Sequence, residues 1–598
     1  MISDTDRVNR YLIHFFSLIL CFLAAYFYLE RTLPFDAAFY SFKISESGTF
    51  SIENYRYGVF YTQLFPLLFL KAGCSLKTFL LVYSLSFALW NYIFCLIILY
   101  VYKKPGIALA LVLTQVLAYR ISFFYPVSEI HSCMGLLLLL AAHLAGWNSQ
   151  KPIRSGSILL LFIVWLTFIH VLSIVPIAFI IGYFIIRRPA LIKDKAFYIP
   201  TLLGLILFIV QLKMFSAGSY QASKMIGLKE IMEFLEDPGS STGYIFFMKE
   251  FMSLELTFVI CLAGFIVLCI VFRKFIILGY SLLFLAGTWV LIMAYNMTPE
   301  SPLVLQNYYP LFGIFIALPL AQDLLPLLPR PWIRFIILIP VFSFSLLGII
   351  RKGVFMSDQT AYFQRIAAQP EAWQTERYVV HSANINWDNV MVTWDLSFQS
   401  LLASSLGEPV DSHTCFCSGD TAQINNWCRK DNQFYSVEWC PVWFNTPFTK
   451  TSFYTLKTGI KYKLLNTAQE KSFPDSLLTP STVSISTAND SIFLLRNNYR
   501  ILPVTLSNSN DFTIPSRPTP EKQLLLTYDV SNEHGQIILL NGCKSALEAD
   551  ILPHSYLQTG LNIDMTRLER GTYFLNIDLI CNDTKRVGIN HKVRILIL

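Results

Sequence analysis

Apolar stretches of membrane-crossing length recur through the first 350 residues of the chain. The hydrocarbon core of a bilayer is about 30 Å thick, so a helix of roughly 20 apolar residues spans it. Each stretch therefore predicts a transmembrane helix. Eleven crossings are predicted, over residues 11–29, 78–102, 105–124, 132–147, 156–169, 173–186, 202–215, 255–272, 275–295, 308–327 and 332–350.

The apolar segment 57–73 decides the predicted orientation. It is short and contains Pro66, so it either crosses the membrane or lies on the surface as an interfacial helix. Only the surface position leaves the basic residues at the span ends on one side, as the positive-inside rule requires. The same rule divides 156–186 into two short crossings with a turn near His170 and Pro176. An odd number of crossings then places residues 351–598 outside.

After residue 351 the pattern becomes that of a water-soluble protein. Residues 378–382 and 389–393 predict strands and 396–406 a helix, so 353–471 is predicted to be an α/β module. Short alternating strands over 523–530, 536–540, 573–580 and 592–598 predict a β-sandwich over 472–598. The predicted fold is thus an α-helical polytopic membrane bundle over 1–352, followed by two external modules.

Composition agrees with a membrane protein and gives little support to a nucleic-acid partner. Hydrophobic residues make up 54% of the chain and charged residues 14%, whereas soluble proteins carry roughly 25% charged residues. The net charge of +7 comes from basic residues at span ends, and no basic patch interleaves with aromatics in the tail. The stretch 11–29 is long for a signal peptide and lacks a small-residue cleavage site, so it is predicted to be an uncleaved first span.

An even set of cysteines falls in the predicted external tail. Outside the cytoplasm such a set favours disulfides, whereas the one-residue gap between Cys415 and Cys417 is too tight for the usual zinc-binding spacing. Disulfides are therefore predicted, with a zinc site as the alternative. The six tail cysteines are Cys415, Cys417, Cys428, Cys440, Cys543 and Cys581.

Candidate chemistry gathers in the predicted external loops. An acidic residue opens the first loop, an aromatic-basic segment follows it, and a second acid stands in the short turn 125–131. A carboxylate at a membrane surface is costly unless it is solvated or paired, so it points to a function. The candidate residues are Asp36, Tyr40, Arg56, Tyr57, Glu129, His131, His170 and Tyr308.

These residue types suit glycosyl transfer from a sugar linked to a lipid phosphate. A carboxylate serves as general base for the acceptor hydroxyl or amide that attacks the anomeric carbon. The departing phosphate needs a cation, which is an arginine, a protonated histidine, or a Mg or Mn ion held by a second carboxylate. Because the lipid carrier stays in the bilayer, these groups are expected at the membrane surface.

The layout resembles the GT-C superfamily of polyprenyl-phosphate-sugar-dependent glycosyltransferases, which includes aminoarabinose transferases and protein O-mannosyltransferases. Three motifs carry the resemblance: Asp36-Ala37-Ala38-Phe39-Tyr40, Tyr55-Arg56-Tyr57, and Glu129 in the next external turn. The resemblance covers residues 1 to about 350. The chain departs from the family pattern at two places. Ala37 follows the first acid, where aminoarabinose transferases commonly have Glu. Gln306-Asn307 precedes Tyr308-Tyr309-Pro310, where the family often has an Arg.

The resemblance implies a catalytic base at Asp36 and an assisting or metal-binding acid at Glu129. The basic and aromatic candidates, namely Arg56, Tyr57, His131, His170, Tyr40 and Tyr308, are expected to bind the donor and its phosphate. The expected protein is an inverting glycosyltransferase on the outer face of a bacterial inner membrane. Its partners are expected to be membrane lipid, a polyprenyl-phosphate sugar, and a glycan, lipid or protein acceptor.

Each candidate also has a plain structural explanation. Asp36 is a possible cap for a helix beginning at Ala37, and Glu129 an exposed turn residue. Arg56 is a candidate for snorkelling to lipid phosphates, the histidines for packing, and Tyr308 for an aromatic belt. The alternative functions are an O-antigen polymerase or ligase and a non-catalytic scaffold or transporter whose tail binds a partner.

Overall fold

The computed structural model is mainly helical up to residue 367 and rich in strands after residue 377. It describes residues 4–117, 120–214, 228–253, 256–295, 305, 307–367, 377–381, 395–406, 412–418, 433–434, 446–447, 453–454, 461–464, 483–487, 491–494, 499–509, 514, 524–540, 542–547, 551, 554–564, 568, 571–581, 585–586, 589 and 591–597.

The α-helices are numbered here in chain order. They are α1 (Asp4–Tyr26), α2 (Tyr28–Thr32), α3 (Phe35–Ser47), α4 (Leu64–Lys71), α5 (Leu76–Leu96), α6 (Pro105–Val116), α7 (Glu129–Ala145), α8 (Pro152–Thr167), α9 (Ile174–Arg187), α10 (Lys195–Met214), α11 (Leu228–Glu236), α12 (Thr242–Ser253), α13 (Leu256–Val271), α14 (Phe275–Tyr295), α15 (Tyr309–Pro319), α16 (Pro331–Ala367) and α17 (Leu396–Ser404). Short 3₁₀ turns cover Tyr57–Gln63, Ile121–Phe124, Val171–Ser173, Pro189–Lys193, Pro238–Ser240 and Leu325–Leu327, and π turns cover Ile97–Val101 and Leu320–Leu324.

Six helical stretches in the described part of the chain are long and apolar enough to cross a membrane. They are Asn9–Tyr26, Leu76–Val101, Lys195–Lys213, Phe275–Tyr295, Tyr309–Leu327 and Trp332–Ala361. Five shorter apolar helices, Pro105–Val116, Glu129–Ala145, Pro152–Thr167, Val171–Arg187 and Leu256–Val271, coincide with the remaining predicted crossings. The apolar helices are therefore found where the pattern predicts them, and six of the eleven have the length that a crossing needs.

Three local predictions can be compared with the structure. The chain turns at His170, between α8 and α9, as the basic flanks indicate. The segment 57–73 forms a 3₁₀ turn over Tyr57–Gln63 followed by α4, so the predicted single interfacial helix is divided in two. The helix α16 continues to Ala367, beyond the predicted span end at residue 350. Arg351 and Lys352 end the apolar stretch but do not break a helix, since both are good helix formers.

Contacts divide the chain into two compact units, Met1–Ser382 with Met391–Leu465 and Ala383–Val390 with Asn466–Leu598. In the first unit, β1 (Arg377–His381) pairs in parallel with β2 (Thr414–Ser418), and α17 lies between them in the chain. The short strands β3 (Gln433–Phe434) and β4 (Thr446–Pro447) pair with each other, and β5 (Lys463–Leu464) pairs in parallel with β1. This is a strand–helix–strand arrangement. The strand predicted over 389–393 lies outside the described residues.

The second unit contains two sheets whose buried side chains form one hydrophobic cluster. The strands are β6 (Val483–Thr487), β7 (Ser491–Leu494), β8 (Tyr499–Asn508), β9 (Leu524–Asn532), β10 (Ile537–Leu539), β11 (Ser545–Ala546), β12 (Ser555–Asp564), β13 (Gly571–Cys581), β14 (Lys585–Arg586) and β15 (His591–Ile597). Four predicted strands are confirmed as β9, β10, β13 and β15, with small shifts at their ends. The long pair β8 and β12 was not predicted.

The predicted disulfides gain no support from the cysteines whose side chains are described. Cys415 is a buried free thiol on β2, Cys417 is buried on the same strand, and Cys543 is a half-buried free thiol. Burial disfavours the thiolate and raises the pKa of Cys415 above its usual range. Cys428, Cys440 and the side chain of Cys581 lie outside the described residues.

Candidate active site

One cleft in the first unit brings together five of the eight candidate residues. It has about 1000 Å³ of empty space, part of which is open to solvent. Its lining comes from the start of α3, the segment before α4, the turn into α7, the turn between α8 and α9, the end of α14 and the start of α15. The candidates that line it are Asp36, Arg56, Glu129, His170 and Tyr308.

Asp36 lies in the first turn of α3. The helix begins at Phe35, and its N-cap position is occupied by Pro34, which has extended backbone angles. Asp36 is therefore not the N-cap, and the capping explanation for this residue is wrong. Its side chain is exposed at the cleft. The positive end of the helix dipole interacts favourably with a carboxylate in this position, and a carboxylate is a group that can accept a proton.

Arg56 and Glu129 form an ion pair in the cleft wall. Nη1 of Arg56 donates to Oε1 of Glu129, and the two side chains are only 12% and 14% exposed. Glu129 is the first residue of α7, where a carboxylate also interacts favourably with the helix dipole. These contacts contradict both an exposed-turn role for Glu129 and lipid snorkelling by Arg56.

Gly58 explains why the Arg56 segment lies against the His170 turn. Its N–H donates to the carbonyl of Phe168 at 2.9 Å, and its own carbonyl accepts from Nε1 of Trp165 at 2.8 Å. A Cβ atom at position 58 would lie 2.5 Å from Ile169 and 2.7 Å from the Trp165 carbonyl. Only glycine permits this close approach.

His170 caps the turn that it occupies. Its Nδ1 accepts the backbone N–H of Leu172 at 3.0 Å, so the neutral ring carries its proton on Nε2. In that tautomer Nε2 carries an N–H group on the ring of a residue that lines the cleft. An N–H of this kind is suited to a phosphate oxygen.

The other wall of the cleft is apolar. Leu291, Ile292 and Tyr295 contribute from the end of α14, and Tyr308 contributes from the N-cap position of α15. Val171 and Leu172 add further apolar surface. The cleft thus joins a charged wall to a hydrocarbon-like wall, an arrangement that fits a ligand with a polar head and an apolar chain.

Three candidates do not line this cleft. Tyr57 is 55% exposed and its ring contacts Phe168. His131 is buried and lines a separate, small cavity, where Nδ1 lies 3.2 Å from the carbonyl of Tyr125. Tyr40 is buried in the core of the first unit.

Tyr40 nevertheless lies within the electric field of the cleft. Burial raises the pKa of its phenol well above the usual range, and the carboxylates of Glu129 and Asp36 add to the rise, while Arg56 opposes it. The phenol therefore stays protonated at any working pH. It is able to donate a hydrogen bond but not to act as a base.

The pattern analysis missed Asp395, which lies behind the cleft. Its side chain is buried, and Oδ2 accepts the backbone N–H of Phe35. Burial raises the pKa of this carboxyl to about 7, although the hydrogen bond from Phe35 opposes the rise. Asp395 immediately precedes α17, where an Asp is common as a helix cap, so its position in the chain does not indicate this long-range contact.

Phe35 itself has an unusual backbone conformation. Its φ is +60°, in the left-handed region that costs a non-glycine residue about 1–2 kcal/mol. Its ring stacks on Tyr125, with the ring centroids 4.0 Å apart and the planes 13° from parallel. Burial and the nearby carboxylates of Asp395 and Asp36 raise the pKa of Tyr125. Two contacts therefore fix Phe35, the residue before Asp36: the hydrogen bond from its N–H to Asp395 and the stacking of its ring on Tyr125.

The metal predicted at Glu129 does not fit the residues around it. A Mg or Mn ion needs several oxygen ligands, and it would have to displace the guanidinium of Arg56 from the carboxylate. In the described part of the chain, no group of three or more His, Cys, Asp or Glu side chains is placed to hold an ion.

Comparisons of the chain with protein-family models, with curated proteins and with solved structures gave no match. The likeness to GT-C glycosyltransferases consequently rests on the short motifs around Asp36, Arg56 and Glu129.

Proposed function

We propose that this protein is an inverting membrane glycosyltransferase that uses a polyprenyl-phosphate monosaccharide as donor. The observation that carries the proposal is the composition of the cleft. Asp36, Arg56, Glu129 and His170 line it together with the apolar side chains of α14. A general base, an arginine and a ring N–H donor beside a hydrocarbon-like wall suit a lipid-phosphate sugar.

Asp36 acts as the general base. The acceptor oxygen or nitrogen attacks the anomeric carbon of the donor while its proton passes to the Asp36 carboxylate. The bond between the anomeric carbon and the phosphate oxygen breaks at the same time, and its electron pair leaves with the polyprenyl phosphate. One displacement of this kind inverts the anomeric centre. The exposed position of Asp36 lets acceptors reach it.

Arg56 and His170 stabilise the departing phosphate. Arg56 supplies a fixed positive charge, and Glu129 holds its guanidinium in the cleft wall through the ion pair. His170 supplies the Nε2–H donor, since its Nδ1 is engaged with Leu172. Donors set in place before the reaction stabilise developing charge without reorganisation. Glu129 is thus proposed to orient Arg56.

The lipid chain of the donor is proposed to lie along Leu291, Ile292 and Tyr295. We further propose that the chain crosses a bacterial inner membrane eleven times and that the cleft opens on the outer face of this membrane. The positive-inside rule supports that orientation, because it places the basic span ends on the opposite side.

The acceptor is proposed to be a cell-envelope glycan, lipid or protein. The β-rich second unit, interpreted as a sandwich, is proposed to position it because the positive-inside rule predicts that residues 351–598 lie outside the membrane. A chain ending at residue 465 is then expected to hydrolyse the donor and to transfer poorly. Full transfer by that truncated protein to the native acceptor would contradict the role of the second unit.

The test uses purified wild-type protein and Asp36→Asn with a panel of radiolabelled polyprenyl-phosphate sugars. We expect the wild type to transfer or hydrolyse one donor and D36N to lose at least 1000-fold in kcat, because the amide cannot accept the proton. D36N should fold normally, since the side chain is exposed. The matched control is Asp358→Asn, which changes an exposed carboxylate on α16 and should retain full activity.

Equal activity of wild type and D36N on a reactive donor would contradict the assignment of the base. If D36N and D358N lose activity together, the loss reflects damage to the protein. If no donor reacts when acceptor extracts are supplied, the glycosyltransferase proposal fails.

A further inference from the structure

Asp395 reaches the first turn of α3 from a distant part of the chain. Oδ2 accepts the N–H of Phe35, a residue 360 positions earlier in the sequence. Phe35 immediately precedes Asp36, and the N–H groups at a helix start have no partner within the helix. The carboxyl of Asp395 therefore supplies the partner that α3 lacks at this point.

The helix that carries Asp395 is firmly attached to α3. The ring of Phe398 on α17 contacts the rings of Phe39 and Phe42 on α3, with centroids 5.4 and 5.3 Å away. Tyr454 adds a hydrogen bond from the same tail segment, with its hydroxyl 2.5 Å from Oγ of Ser45. A support packed this way fixes the position of the Asp395 carboxyl.

The side chain of Asp395 does not cap α17, although Asp395 occupies the N-cap position of this helix. Its backbone carbonyl accepts from Phe398 N–H at 3.0 Å and Gln399 N–H at 2.9 Å, but its carboxyl makes no capping hydrogen bond there. The carboxyl is directed instead at Phe35, whose left-handed φ of +60° needs support from its surroundings.

We infer that Asp395 is a positioning residue for Asp36, acting through its hydrogen bond to the backbone N–H of Phe35. The bond holds Phe35 in its left-handed conformation, and this conformation sets the direction in which α3 begins. Asp36 is the next residue, so its carboxylate is placed at the cleft. Asp395 is only 1% exposed and does not line the cleft, so it does not touch a substrate there.

The effect of Asp395 on catalysis rests on the proposed function, whereas its effect on the backbone does not. Two variants of similar size separate the hydrogen bond from the packing. Asp395→Asn keeps an oxygen acceptor, and Asp395→Leu fills the same space without one. Asn is a close mimic because the raised pKa leaves much of the carboxyl protonated near neutral pH.

Ser400→Ala provides the control for general loosening of α17. Ser400 is also buried on that helix, and its Oγ accepts the N–H of Cys415 at 2.8 Å. Removing this hydroxyl disturbs the attachment of α17 to β2 and leaves the contact between Asp395 and Phe35 in place.

The first measurement is hydrogen–deuterium exchange of a peptide covering residues 31–47 in the full-length protein. We expect at least 10-fold faster exchange of the amides at the start of α3 in D395L, and rates near wild type in D395N and S400A. The second measurement is donor turnover. D395L should lower kcat at least 10-fold with the donor KM within about twofold, and D395N should recover most of the rate.

Unchanged exchange in D395L would overturn the inference, as would D395N behaving like D395L in both measurements. If D395L does not fold, Asp395→Ala is used in its place, because the smaller side chain also removes the acceptor and leaves space for water at the Phe35 N–H. Faster exchange and a lower kcat are again expected. Normal donor turnover by D395L together with faster amide exchange would overturn the positioning role. Asp395 would then stabilise the backbone at Phe35 without affecting catalysis. If no donor ever reacts, the proposed function fails, and the exchange data still test the contact.

Discussion

Arg56 and Glu129 form an ion pair between a loop segment and the first residue of α7, 73 positions apart in the sequence. The two side chains are 12% and 14% exposed, so they are well shielded from solvent. Removing one member of a shielded pair leaves an uncompensated charge, which costs more than the pair itself contributes. The pair therefore couples the proposed phosphate-binding wall of the cleft to the stability of the first unit.

Breaking this pair one side at a time should be worse than removing both sides. We expect Arg56→Gln and Glu129→Gln each to lower the free energy of unfolding by about 1–3 kcal/mol, and the double variant to lose less than either single variant, well below the sum of the two losses. Chemical unfolding in detergent measures all three. The exposed pair Lys229 and Glu233 on α11 is the control, where changes of about 0.5 kcal/mol or less are expected. Additive losses at Arg56 and Glu129 would show that the two residues do not interact.

His170→Asn should separate the structural and binding roles of His170. The Asn oxygen replaces Nδ1 as acceptor for the Leu172 N–H, but nothing replaces the Nε2–H donor. We expect unchanged stability and about a 10-fold lower kcat/KM for the donor, because the ring N–H is proposed to stabilise the charge that develops on the departing phosphate. His170→Ala, which loses both functions, should also lower stability. Normal kcat/KM in H170N would mean that the ring serves only as a cap.

Removal of divalent metal should leave the activity intact. The Glu129 carboxylate is engaged by Arg56, and the phosphate charge is assigned to Arg56 and His170. We expect protein dialysed against a chelator to keep at least 80% of its turnover. Loss of turnover that added Mg or Mn restores would contradict this assignment of the phosphate-binding groups.

The stability contribution of Asp395 should depend on pH. Burial favours the protonated form and raises the pKa of Asp395 in the folded protein from its ordinary value of 3.8 to about 7. As pH rises from about 4 to 7, the unfolded chain loses this proton before the folded protein does, so the native state loses stability; above pH 7 the difference is constant. D395N lacks this titration. Its Tm relative to wild type should therefore rise between pH 4 and 7 and level off above pH 7.

The difference between the two pKa values sets an upper limit of about 4 kcal/mol on this effect. Thermal unfolding from pH 4 to 8.5 measures it, and D358N is the control because its carboxylate is exposed. A Tm difference between D395N and wild type that does not change with pH would show that Asp395 titrates normally.

Pattern analysis located most of the charged wall of the cleft. Asp36, Arg56, Glu129 and His170 were chosen because polar residues interrupt apolar stretches at predicted loops, and the structure places all four in one cleft. Loops that join adjacent helices are short, so their side chains stay close to the ends of those helices and to one another. The same reasoning failed for Tyr40 and His131, since it cannot tell which face of a helix is turned toward the core.

The apolar stretches by themselves determined where the membrane-length helices lie, because burial of apolar surface follows from composition and length. They also indicated which side carries the polar loops. Only the tertiary structure decided that Glu129 pairs with Arg56 and that Asp395 supports Phe35. Hydrogen bonds and ion pairs act over a few ångströms, whereas 360 residues separate Asp395 from Phe35. The packing of α17 on α3 brings them together, and that packing depends on side chains throughout the first unit.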